Sequence, residues 1–109
     1  MRSYFIEEIE PDKLQKLAKQ LQDKGYQGPI DDIYWFQLPM QVLTATQQDH
    51  FQACGPYIVS LELGQDWLKL ELLLRARNTF RCSCVGYADS RQRDYCIQLL
   101  EDLLAQHGI

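Results

Sequence analysis

Long apolar stretches are missing from this 109-residue chain. Runs such as Leu72 to Leu74 fall far short of the ~20 residues a membrane helix needs. The first ten residues, MRSYFIEEIE, carry acids where a signal peptide needs an apolar segment. The expected location is therefore the cytoplasm, where the four cysteines are kept reduced. Repeats and low-complexity tracts are also missing, which argues against solenoid and disordered classes. There is no Gly-rich phosphate loop, no nucleophile elbow and no HExxH. The carboxylate pairs Glu7-Glu8 and Asp31-Asp32 are adjacent, so on a strand they face opposite ways. No catalytic set emerges, and the expectation is a protein that is not an enzyme.

What is present is an ordinary globular composition, 46% hydrophobic and 24% charged. The length suits one domain, residues 1–109, with a core large enough to need no obligatory staple. Net charge is −4, which argues against nucleic acid as the main partner. The charge is uneven. Residues 75–93 hold five arginines and one acid, which leaves the remainder strongly acidic.

Hydrophobic periodicity gives the order β-α-β-(α)-β-β-β-α. Tyr4 to Ile9 reads as a strand. Pro11 to Lys24 reads as a helix, with proline at its first position and Leu14, Leu17, Ala18 and Leu21 on one stripe. Gly25 suits the position after its end. Asp31 to Leu38 is an aromatic strand that Pro39 closes. Thr44 to Cys54 suggests a short, mostly exposed helix capped by Thr46 and stopped by Gly55-Pro56.

Tyr57 to Leu63 and Trp67 to Leu74 alternate almost throughout, with every odd position apolar in the first and every even position apolar in the second. A two-residue Gly64-Gln65 turn would pair Leu61 with Leu68 and Val59 with Leu70. Phe80 to Val85 is expected to add a further strand. A two-residue turn at Asn78-Thr79 would put Cys82 and Cys84 on its outer face; a three-residue turn would put them in the core. Asp89 and Gln92 have capping-box spacing before a last helix, whose stripe is Cys96, Leu99, Leu100, Leu103 and Leu104. The expected fold class is α+β, a single antiparallel or mixed sheet with helices packed on one face.

Three constellations carry chemistry. His50 and Cys54 are four apart on a helix, and Cys82 and Cys84 are two apart on a strand. One imidazole with three thiolates is a tetrahedral zinc donor set, although the spacing follows no standard zinc motif. The competing readings are core filling by cysteine, which Cys96 on its leucine stripe also suggests, and a thiol switch pairing Cys54 with Cys82 or Cys84. Arg75, Arg77, Arg81, Arg91 and Arg93 form the second group, fit either for an anion or for a solvated sheet edge. The third is aromatic. Tyr34, Trp35 and Phe36 cannot all face one side of a strand, and Trp67 lies on the less apolar sheet face. This surplus points to an interface with another protein or with a second copy, a homodimer by frequency. Protein binding or self-association is the leading expectation, a metal or thiol module the alternative, and anion or nucleic-acid binding the third.

Overall fold

A computed structural model describes residues 1–79 and 82–109. Strand β1 (Ser3–Ile6) leads into helix α1 (Pro11–Asp23), then β2 (Ile33–Gln37). A 3-10 turn (Met40–Val42) precedes two short helices, α2 (Ala45–Asp49) and α3 (Phe51–Cys54). Strands β3 (Tyr57–Leu63), β4 (Leu68–Ala76) and β5 (Gly86–Tyr87) follow, and α4 (Ser90–Ala105) closes the order. The sheet runs β1-β4-β3-β2, with β5 added beside β4, and every pairing is antiparallel. The expected α+β class and element order are what the molecule has.

The alternation of β3 and β4 sets the core. Tyr57, Val59, Leu61, Leu68, Leu70, Leu72 and Leu74 are all fully buried. They meet Leu14, Leu17 and Leu21 of α1 and Cys96, Leu100, Leu103 and Leu104 of α4. Polar contacts tie the layers. Tyr4 Oη donates to the Glu101 carboxylate, and Gln22 Nε2 donates to Tyr34 Oη at 3.4 Å. α1 starts at Pro11 and ends against Gly25, whose φ of +80° is open to glycine without strain.

The hairpin register differs from the expected one. Leu63 pairs with Leu68 and Leu61 with Leu70, so four residues, Gly64 to Trp67, form the loop. The shift is even, and both apolar faces still coincide. The cause is Trp67, which folds over Gly64. A Cβ at position 64 would lie 2.1 Å from its ring. Trp67 then packs on Phe5, with ring centroids 5.6 Å apart. A bulge follows, since beyond Ser60↔Glu71 the pairs become Ile58↔Arg75 and Tyr57↔Ala76.

The last strand also differs. β4 pairs through Leu73 and Leu74 with Tyr87 and Gly86, and residues 82 to 85 are outside any strand. Phe80 and Arg81, part of the expected strand, lie outside the described residues. Neither proposed register applies, because Cys82 to Val85 form a tight turn in which the Val85 N–H donates to the Cys82 carbonyl at 3.1 Å.

Candidate metal centre

The segment before β3 is built by a capping box two residues earlier than expected. Thr44, in place of Thr46, caps α2: its Oγ1 accepts from the Gln47 N–H at 3.2 Å, and Gln47 Oε1 accepts from the Thr44 N–H at 3.0 Å. The preceding T-x-x-Q spacing was present in the sequence. His50 sits at the junction of α2 and α3 with φ −91° and ψ 1°, ending one helix and starting the next. Its carbonyl accepts from the Cys54 N–H at 2.8 Å, so the expected four-residue spacing on one helical face survives the break. Cys54 ends α3, and its carbonyl accepts from the Asn78 N–H at 3.1 Å. The end of β4 is thereby fastened to the end of α3.

These connections bring four donors together. Nδ1 or Nε2 of His50 and Sγ of Cys54, Cys82 and Cys84 all lie within 4.8 Å of one another. His50 Nδ1 is 3.0 Å from Cys82 Sγ, and the Cys84 N–H donates to the same sulfur at 3.4 Å. Cys54 and Cys84 are buried, whereas His50 and Cys82 are half-buried. All four cysteines are free thiols. Cys96 lies in the helix core, as its stripe implies, and burial pushes its thiol up to about 12.

The thiols divide the charge unequally. Cys82 is drawn down to about 6 by the hydrogen bonds it accepts from the Cys84 thiol and the Cys84 backbone N–H, then by His50. Burial first, then the neighbouring Cys82 and Cys84, push Cys54 up to about 12. Without a cation the cluster therefore favours one thiolate, centred on Cys82, beside protonated neighbours.

A buried amide pair supports the turn. Gln47 Nε2 donates to the Cys84 carbonyl at 3.1 Å, and Gln92 Nε2 donates to Gln47 Oε1 at 2.8 Å. Gln92 also closes its own capping box with Asp89, the arrangement expected from their spacing. Tyr57 Oη donates to the Gln47 carbonyl at 3.1 Å. Gln47 was expected on an exposed helix and is instead 5% exposed, while Gln92 is 1% exposed. The network is complete: among the described residues no buried side-chain nitrogen or oxygen lacks a partner.

The other candidate groups fare differently. Tyr34 and Phe36 are buried on the helix-facing side of β2 and belong to the core, so they cannot form an exposed interface. Trp35 points outward, half-buried, with the Arg77 guanidinium 5.0 Å from its ring centroid. Trp67 is half-buried against Phe5. The arginines are not gathered at one point. Arg75 pairs with Glu71 at 2.9 Å, Arg93 with Asp94 at 3.4 Å, and Arg91 donates to the Gln41 carbonyl. Arg81 lies outside the described residues. Tyr87 packs under Arg2, whose guanidinium carbon lies 4.9 Å from its ring centroid. No helix is long and apolar enough to cross a membrane among the described residues. No protein-family model, curated protein or solved structure matches this chain.

Proposed function

We propose that this chain is a small metal-binding module, holding one zinc ion through His50, Cys54, Cys82 and Cys84. The observation that carries the reading is the convergence of one imidazole and three thiols within 4.8 Å. A tetrahedral zinc with bonds of about 2.0 to 2.3 Å sets its donors roughly 3.4 to 3.8 Å apart, so the widest separations would close by about 1 Å and the 3.0 Å His50–Cys82 pair would open slightly, both within reach of small side-chain rotations. Sulfur-rich donor sets select zinc over hard cations such as calcium or magnesium.

A disulfide between Cys54 and Cys82 or Cys84 is the competing use of the same thiols. The position of His50 favours the metal, because a disulfide has no need of an imidazole at 3.0 Å. Four protein donors close the coordination sphere and leave no position for substrate, which makes the ion structural. Its role is to join the α2–α3 segment to the turn before β5.

The test is elemental analysis of protein purified without chelator, together with thiol counting. About one equivalent of zinc, lost in Cys84→Ser, supports the reading. Less than about a tenth of an equivalent, even after incubation with excess zinc under reducing conditions, rejects it.

A further inference from the structure

The helices cover one face of the sheet and leave the other open. On that open face Trp35 borders three adjoining grooves. The largest, about 600 Å³, lies between the 24–29 turn and the ends of β2, β3 and β4. That size is within the ~300–1,000 Å³ usual for small-molecule sites. Lys24, Tyr26, Gly28, Trp35, Ile58 and Arg77 line it, and no acidic residue does.

The charges in this groove are of one sign. The chain carries a net −4, yet among the described residues this groove presents two cations and no anion. Among the described residues neither Lys24 nor Arg77 has an ion-pair partner, whereas Arg75 and Arg93 do. Arg77 is held in place twice. Its backbone N–H donates to the Pro56 carbonyl at 3.0 Å, and its guanidinium lies 5.0 Å from the Trp35 centroid. The guanidinium is attracted to the ring, and its five N–H donors are more than that contact uses. Gly28 allows the indole to lie close, since a Cβ there would be 3.2 Å from Trp35 Nε1.

An indole with a guanidinium over its ring offers a surface on which a planar ring can pack. Two unpaired cations beside it offer charge-assisted hydrogen bonds. We propose that the groove formed by Lys24, Trp35 and Arg77 binds a small aromatic anion, a planar ring bearing a phosphate or carboxylate. The ring packs against the Trp35–Arg77 pair, and the anionic group is held by Lys24 Nζ and the Arg77 N–H donors. No member of the thiol cluster takes part, so this site stands or falls apart from the metal centre.

Adenosine monophosphate, adenosine, inorganic phosphate and benzoate separate ring from charge as probes. The readout is the indole N–H resonance of Trp35, assigned by its loss in Trp35→Phe, with the Trp67 resonance as an internal control of folding. At low salt the proposal expects adenosine monophosphate or benzoate to shift the Trp35 signal with a Kd below about 1 mM. Whichever binds distinguishes a phosphate from a carboxylate ligand. Adenosine and phosphate alone should bind at least about tenfold more weakly, and Arg77→Gln and Lys24→Gln should each weaken binding about tenfold or more. No shift with either aromatic anion overturns the proposal. So does equal binding of adenosine or of phosphate alone, or unchanged affinity in Arg77→Gln with the Trp67 signal intact.

Discussion

His50 Nδ1 lies 3.0 Å from Cys82 Sγ, although 32 positions separate the two residues in sequence. The whole hairpin β3–β4 lies between them. It returns the chain to the end of α3, and Asn78 fastens it there through the Cys54 carbonyl. The thiol cluster is thus a product of the sheet.

Replacing one ligand should separate metal loss from fold loss. Cys54→Ser is expected to lower zinc affinity at least about 100-fold, because removing a ligand exceeds the 10–100-fold typical of outer-shell changes. The metal-dependent rise in Tm should vanish, while the metal-free Tm changes little. Thermal melts with and without zinc check this.

Metal affinity should depend on pH in a definite direction. Ligand thiols bind metal as thiolates, and burial holds Cys54 up at about 12. Binding near neutral pH therefore releases protons, and affinity should rise as pH rises from 6 to 8. Competition against a chromophoric chelator measures the slope, expected at about tenfold per pH unit for each proton displaced. A flat profile contradicts the charge distribution described above. The apo cluster has its own pH dependence. Cys82, drawn down to about 6, contributes stability that is lost as pH falls through that value. Cys54 acts oppositely, because its raised value opposes ionisation and its contribution is lost only as pH rises toward 12.

Gln47→Ala should destabilise the fold by about 1–3 kcal/mol, since it strands the buried Gln92 amide and the Cys84 carbonyl. Denaturant unfolding of the metal-free protein reads this directly. Gln47→Glu should not rescue it, because the carboxylate cannot donate to the carbonyl.

Gly64→Ala should drive Trp67 off the loop, because the added Cβ would meet its ring at 2.1 Å. A loss of about 1–3 kcal/mol and a red shift of tryptophan emission are the expected outcomes.

Much of this fold is readable from the residues. α1 is announced by Pro11, its leucine stripe and Gly25. α4 is announced by the Asp89–Gln92 box. The near-continuous alternation of β3 and β4 fixes which faces meet. What alternation cannot fix is an even shift in register, since it leaves every face unchanged. The Gly64 to Trp67 loop depends instead on the Trp67 ring lying over Gly64. The turn at Cys82 to Val85 was hidden for a related reason. Short alternating sequence reads as strand whether or not a neighbour is there to pair with it, and here β4 pairs further on, with Gly86 and Tyr87. The four donors were visible as residue types. Their meeting depended on long-range closure, and the support from Gln47 and Gln92 depended on burial of side chains usually found at the surface.

X-ray absorption at the zinc edge of reduced, zinc-loaded protein tests the central claim most directly. The account predicts one zinc bound by three sulfurs at about 2.3 Å and one nitrogen at about 2.0 Å, with Cys82→Ser removing a sulfur. A first shell of oxygen and nitrogen alone, or a spectrum unchanged by that substitution, would contradict it.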